Sequence, residues 1–145
     1  MTENQIATVI LDGAFKIHKT LGPGLLESVY EATVDFELRK RGLRVMRQIG
    51  LPVHYEGIKL DLGFRVDLII DDKVIIEIKS VEELAPVHKK QLLTYLRLMN
   101  LRLGLLLNFN VDLMRNGIQR VANGLVQEDS FSRSDATTLR RAKTL

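Results

Sequence analysis

The chain has 145 residues, of which 46% are hydrophobic and 27% charged, values typical of one soluble globular domain with one hydrophobic core. The absence of cysteine excludes disulfides and thiolate metal sites, and no apolar run approaches the roughly 20 residues that span a bilayer. The net charge of +3 is compatible with nucleic acid, and because residues 1–5 carry no basic side chain, we expect a cytoplasmic location without a signal peptide.

Two helices are predicted at the start of the chain. Apolar residues recur at helical spacing over residues 5–19, which indicates an amphipathic helix. Gly22 suits a left-handed helix cap, and Pro23 suits the first turn of a second helix. This second helix is predicted over residues 24–41, and Gly42 ends it.

The rest of the chain combines strand patterns with one helical pattern. Strands are predicted over 43–53 with a break near Gly50, over 58–62 after a turn at 54–57, and over 64–70, 74–79, 103–109 and 117–123, with a helix over 87–101 that has Pro86 near its start. This order predicts an α/β (α+β) fold, a mixed β-sheet flanked by helices. We expect residues 1–126 to form this single domain and residues 127–145 to form a polar, basic, flexible tail.

Three charged residues lie at the edge of a very apolar stretch, residues 66–78. They are Asp67, Glu77 and Lys79. Ionised groups rarely lie beside buried strands unless they are paired or bind a metal. Two carboxylates can hold a divalent cation, and a lysine beside them can help to activate a water, so this set suits metal-assisted phosphodiester hydrolysis.

The register of the hairpin decides whether these carboxylates meet. By strand alternation, Arg65, Asp67 and Ile69 share one face, whereas Phe64, Val66, Leu68 and Ile70 share the other. A three-residue loop, Asp71-Asp72-Lys73, pairs Ile70 with Val74 and places Asp67 opposite Glu77. A two-residue loop would instead place the carboxylates on opposite faces. We predict the first register, or a bulge with the same effect.

A surface hairpin is the alternative interpretation of the same residues. In that case Arg65 with Glu77, or Asp67 with Lys79, would form an ordinary cross-strand salt bridge. Spacing does not decide between the two interpretations. Two helical pairs favour a site: Glu27 and Tyr30 lie one turn apart on the second helix, and Gln91 and Tyr95 lie one turn apart on the helix that follows the acidic strand.

These motifs together resemble the GxxExxY family, which belongs to the PD-(D/E)XK nuclease superfamily with its restriction-endonuclease-like fold. The similarity extends over roughly residues 5–126, and its motifs are Leu21-Gly22-Pro23-Gly24-Leu25-Leu26-Glu27-Ser28-Val29-Tyr30, Leu51-Pro52-Val53, Tyr55-Glu56-Gly57, Asp67, Glu77-Ile78-Lys79, residues 91–96 and residues 106–109. The chain departs from the superfamily pattern at Val66, where a proline is nominal, and at Asn110, where a glycine is frequent.

The resemblance implies a role for each matching residue. It implies catalytic roles for Glu27, Asp67, Glu77 and Lys79, metal binding by Asp67, Glu77 and the Ile78 carbonyl, and substrate-binding or supporting roles for Tyr30, Gln91 and Tyr95. Lys79 would orient or deprotonate the attacking water. Because these ligands are all oxygens, they suit Mg²⁺ or Mn²⁺, whereas His18, His54 and His88 are not spaced as a zinc site.

The expected partner is nucleic acid, with DNA the first candidate. Basic residues that could follow a phosphate backbone are Arg39, Lys40, Arg41, Arg44, Arg47, Lys89, Lys90, Arg97 and, in the tail, Arg133, Arg140, Arg141 and Lys143. The leading hypothesis is a Mg²⁺-dependent nuclease, or the nuclease subunit of a homodimer or larger assembly. The alternatives are a nucleic-acid-binding module without turnover and a protein-interaction module that uses the same fold.

Overall fold

The computed structural model describes residues 1–125, except for the side chains of residues 61–63, so the predicted tail at 127–145 lies outside the described residues. Its elements are helices α1 (Glu3–Leu21), α2 (Glu27–Lys40) and α3 (Pro86–Met99), strands β1 (Val45–Tyr55), β2 (Ile58–Ile70), β3 (Val74–Lys79), β4 (Leu103–Asn108) and β5 (Ile118–Ala122), and a 3₁₀ turn, Met114–Gly117, before β5. None of the described helices is long and apolar enough to span a membrane.

The strands form one mixed sheet in the order β1-β2-β3-β4-β5. The pairs β1–β2, β2–β3 and β4–β5 are antiparallel. Strands β3 and β4 are parallel and are connected through α3, as a parallel pair requires a long crossover. This arrangement confirms the predicted mixed sheet flanked by helices.

Helices cover both faces of the sheet. Core side chains of α1 and α2 pack with Val74, Ile76 and Ile78 of β3, and α3 packs with Ile75 of the same strand on the other face. Because both faces are covered, β3 and β4 are buried along nearly their whole length and consist almost entirely of apolar residues.

The second helix begins later than its sequence pattern suggested. Gly24 has a φ of 97° and Gly22 a φ of 72°, and neither value is compatible with a right-handed helix. Leu26 therefore caps α2, whose first residue is Glu27. Pro23 lies in the connecting loop and not in the first turn of the helix. A carboxylate at this position is favoured by the positive end of the helix dipole.

The long β1–β2 hairpin also differs from its prediction. Residues 58–70 form one strand, where two were expected. Strand β1 is irregular at two places. Gln48 has a φ of 52°, and the register of the β1–β2 ladder shifts between Leu51 and Val53, which confirms the predicted break near Gly50. Arg47 pairs with Leu68 and Ile49 pairs with Val66, but Gln48 and Asp67 between them form no ladder pair.

At the distortion around Gln48, the side chains of β2 change from one face of the sheet to the other. Val66 packs in the α3-side core, whereas Leu68 packs in the α1–α2 side. Phe64 also faces α3, where its ring meets that of Tyr95 edge-on at a centroid distance of 6.3 Å. The predicted common face for Phe64, Val66, Leu68 and Ile70 was therefore wrong, because regular alternation is interrupted at Asp67.

Candidate active site

The carboxylates of Asp67 and Glu77 meet at the point where β2 and β3 separate. The ladder runs from Ile70 opposite Val74 to Leu68 opposite Ile76, which confirms the register of the three-residue loop. Beyond it, side chains replace the ladder hydrogen bonds. The Asp67 N–H donates to a Glu77 carboxylate oxygen at 2.8 Å, and the Ile78 N–H donates to Asp67 Oδ2 at 2.8 Å.

Both carboxylates lie in an environment that disfavours their negative charge. Burial, followed by the charge of Asp67, raises the pKa of Glu77 to about 8, and Glu77 is only 6% exposed. Burial likewise raises the pKa of Asp67, although the hydrogen bond from Ile78 opposes this effect. Adjacent buried carboxylates are stabilised when a cation lies between them.

Lys79 is the last residue of β3, and the residue after it contacts Glu27. Lys79 is half-buried, and its positive charge acts to lower the pKa of both Asp67 and Glu77. The next residue, Ser80, donates its backbone N–H to a Glu27 carboxylate oxygen at 3.2 Å and its hydroxyl to the Leu25 carbonyl at 2.6 Å. The start of α2 is therefore tied to the residue that follows Lys79.

Glu31 lies one turn beyond Glu27 on α2, and its charge affects Asp67 and Glu77, which we call the acidic pair. It is only 8% exposed, and its negative charge acts to raise the pKa of both Asp67 and Glu77. Glu31 was not predicted as a site residue, although its spacing of one helical turn from Glu27 places both on neighbouring positions of one helix face.

Gln48 and Arg47 hold Glu31, and neither was predicted as a site residue. The Gln48 amide nitrogen donates to Glu31 Oε1 at 2.7 Å and lies 3.4 Å from Asp67 Oδ1. Arg47 lies 3.1 Å from a Glu31 carboxylate oxygen. A glutamine in a strand gives no sequence signal for such a role, because its partners come from another helix and another strand.

Tyr30 lies in the core and not among the carboxylates. Its ring is fully buried and stacks on Phe109 at a centroid distance of 4.5 Å. Its hydroxyl donates to the Gly22 carbonyl at 2.5 Å and accepts from the Leu25 N–H at 3.2 Å. Tyr30 thus holds the loop between α1 and α2, and a supporting role for this residue stays a prediction.

Helix α3 brings Gln91 and Tyr95 to the other side of the acidic pair. Burial and the charges of Glu77 and Asp67 raise the pKa of Tyr95, against the hydrogen bond with Gln91. Gln91 is exposed, whereas Tyr95 is 5% exposed. Of the predicted Gln-x-x-x-Tyr pair, Tyr95 is therefore the member that lies near the two carboxylates.

The oxygen ligands in this region fit a hard divalent cation. The Ile78 N–H points to Asp67, and a residue in an extended strand directs its N–H and C=O to the same edge, so the Ile78 carbonyl is directed toward the two carboxylates. Among the described residues, no group of three or more His, Asp or Glu side chains could hold a metal. A site made of Asp67, Glu77 and a backbone carbonyl agrees with that finding and suits Mg²⁺ or Mn²⁺.

Most of the basic residues selected at the start of the chain have acidic partners within the molecule. Arg39 pairs with Asp35, Arg41 with Glu37 and Asp12, Arg44 with Asp72, and Arg47 with Glu31 and Asp35. Lys89, Lys90 and Arg97 on α3 are exposed and make no ion pair with any other part of the described chain. The basic residues of the tail lie outside the described residues.

A polar cleft of about 980 Å³ lies beside the site and does not contain the acidic pair. Asn108, Asn110 and Glu82 are among the residues that line it. The Asn108 side chain bonds both the N–H and the carbonyl of Val81. This cleft therefore lies beyond the ends of β3 and β4, whereas the carboxylates lie where β3 separates from β2.

Comparison with known proteins identifies a family. A family model described as the PD-(D/E)XK nuclease superfamily matches residues 4–121, a span that includes every candidate residue from Glu27 to Tyr95. Searches of the curated proteins and of the solved structures returned no match.

Proposed function

Since this chain belongs to the PD-(D/E)XK nuclease superfamily, we propose that it is a Mg²⁺-dependent nuclease that hydrolyses phosphodiester bonds of nucleic acid. Within the superfamily, we assign it to the GxxExxY group on the motifs around Glu27. The observation that carries the proposal is that the Asp67 and Glu77 carboxylates are held side by side, by the Ile78 N–H and the Asp67 N–H respectively, close to Lys79. Adjacent buried carboxyl groups with raised pKa values cost stability, and such perturbed groups cluster at functional sites.

Each residue of the site would have its own role in the reaction. Asp67, Glu77 and the Ile78 carbonyl would hold the cation, which when bound would lower the pKa of a water and offset charge on the phosphate. Lys79 would orient the attacking water and add positive charge near the phosphate. Mn²⁺ would be accepted in place of Mg²⁺, since both prefer oxygen ligands.

Glu27 and α3 would support this chemistry from two sides. Glu27 fixes Ser80 directly after Lys79, which keeps the end of β3 in place. Tyr95 would brace Glu77, and Gln91 with Lys89 and Lys90 would contact the substrate backbone. DNA as the substrate, the cytoplasmic location and a homodimeric or larger assembly stay predictions.

A cleavage panel tests the proposal. Purified protein is incubated with single- and double-stranded DNA and RNA in Mg²⁺, in Mn²⁺ and in EDTA. We expect cation-dependent cleavage of at least one substrate, and loss of about 100-fold or more in Asp67→Asn and in Lys79→Met. Lys59→Met, at an exposed position of the hairpin, is the matched control and should cleave as the wild type does.

Two results would contradict the nuclease proposal. Cleavage that persists at the wild-type rate in Asp67→Asn would show that another site, or a contaminant, is responsible. Salt-dependent binding without cation-dependent cleavage of any of the four substrates would favour the non-catalytic binding module.

A further inference from the structure

Gln48 occupies an unusual backbone position directly across from Asp67. Its φ of 52° is left-handed, a region that residues with a Cβ rarely adopt inside a strand. The ladder of β1 and β2 is intact on both sides of it, at Arg47 with Leu68 and at Ile49 with Val66. The distortion is therefore local to Gln48 and Asp67.

The side chain of Gln48 accounts for this position. Its amide nitrogen has one acceptor in Glu31 Oε1 at 2.7 Å and a second, longer contact to Asp67 Oδ1 at 3.4 Å. The reversed amide would place its carbonyl oxygen against two carboxylates, so the nitrogen must face them. One amide thus joins a carboxylate of α2 to a carboxylate of β2.

Glu31 is in turn held in place by an ion pair. Arg47 lies 3.1 Å from a Glu31 oxygen and 3.3 Å from Asp35. The guanidinium offsets the negative charge of Glu31, which is 8% exposed and would otherwise compete with Asp67 and Glu77 for the cation. Glu31 can therefore anchor Gln48 without being a metal ligand itself.

We propose that Gln48 is a positioning residue for the metal site: Glu31 and Arg47 hold its amide, and the amide holds Asp67. With Oδ2 on the Ile78 N–H and Oδ1 toward Gln48, the Asp67 carboxylate has a fixed orientation, and each oxygen keeps a second lone pair for a cation. This inference rests on the proposed function, because it assumes that Asp67 binds a metal.

Gln48→Gly separates the side chain from the backbone strain. Glycine adopts a positive φ without cost, so this variant keeps the distortion and removes only the amide. We expect the dissociation constant for Mn²⁺, measured by calorimetry on the full chain, to rise about 10-fold or more. The melting temperature in EDTA should change little, because relief of the backbone strain offsets the hydrogen bond that Glu31 loses, whereas a merely structural role would lower it and leave the Mn²⁺ affinity unchanged.

Two further variants complete the test. Asn100→Gly is the matched control, because Asn100 also has a positive φ, 57°, and caps α3 away from the carboxylates. Its Mn²⁺ affinity should equal that of the wild type. Glu31→Gln, which weakens the anchor of the amide, should also reduce Mn²⁺ affinity, and it decides the matter if Gln48→Gly fails to fold.

The outcomes distinguish this inference from the proposed function. If the wild type binds Mn²⁺ and Asp67→Asn does not, but Gln48→Gly and Glu31→Gln bind within about twofold of the wild type, the positioning role is overturned and the metal site stands. If the wild type itself binds no Mn²⁺, both the metal site and the positioning role are overturned.

Discussion

Asp67 and Glu77 each bind the backbone of the other's strand: Glu77 accepts from the N–H of Asp67, and Asp67 accepts from the N–H of Ile78. These two bonds continue the β2–β3 contact beyond the last ladder pair, Leu68 with Ile76. The strands thus separate while the carboxylates stay fixed side by side. This arrangement combines a rigid position with electrostatic repulsion, and the first prediction follows from that combination.

Glu77→Gln should abolish cleavage and stabilise the metal-free protein. The amide still accepts from the Asp67 N–H, but unlike a carboxyl with a raised pKa it need not take up a proton or bury a charge on folding. We expect the free energy of unfolding in EDTA, measured with urea, to increase by about 1 kcal/mol while cleavage decreases by about 100-fold or more. Glu83→Gln, at an exposed position, should change neither quantity. A less stable Glu77→Gln variant would contradict this account.

Lys89 and Lys90 should contribute to nucleic-acid affinity through phosphate contacts. Both are exposed on α3 and have no ion-pair partner elsewhere in the described chain. In Lys89→Ala/Lys90→Ala, the slope of log affinity against log salt should become shallower by about 1.8, since each phosphate contact on duplex DNA contributes about 0.9. Arg44→Ala is the control, because Arg44 pairs with Asp72, and an equal effect of this variant would refute the assignment.

Glu37 should make folding stability depend on pH. The hydrogen bond from Arg41 lowers the pKa of Glu37, burial opposes it, and Lys16 lowers the pKa further. Because the folded-state pKa lies below the ordinary value of 4.5, the stabilisation is complete above that value and is lost as the pH falls through the folded-state pKa.

The measurement compares unfolding free energies of the wild type and Glu37→Gln from neutral pH down to about pH 3. The advantage of the wild type should be constant near neutral pH and disappear at the acidic end. Glu82→Gln, at an exposed position, should show no such change. An advantage that grows as the pH falls would have the wrong sign.

Gly117→Ala should destabilise the fold although it adds only one methyl group. A Cβ at this position would lie 2.0 Å from the Asn108 carbonyl oxygen, and backbone cannot move aside as a flexible side chain can. We expect a loss of about 1–3 kcal/mol in the free energy of unfolding. Gly50→Ala is the matched control, because no atom lies within 4 Å of its Cβ position. Equal stability of the two variants would show that the turn adapts.

The sequence by itself determined the central strands of the sheet and the register that pairs them. Continuous apolar runs predicted β3 and β4 closely, because a strand covered on both faces has few positions for polar residues. The loop Asp71-Asp72-Lys73 determined the register that brings Asp67 to Glu77, since a hairpin loop of known length leaves little freedom. Local rules were sufficient wherever the partners lie close together in the chain.

Only the tertiary structure decided how the site is supported. Glu31, Arg47 and Gln48 meet Asp67 from three different elements, and no local period relates them. The exchange of faces at Gln48 breaks the alternation from which strand faces are inferred, and it moves Val66 to the side of α3. The arginines within residues 39–47 are a second example. Their positive charge is evident from the sequence, but their acidic partners depend on how helices and strands pack. Contacts between distant parts of the chain depend on packing, which periodicity in one segment does not specify.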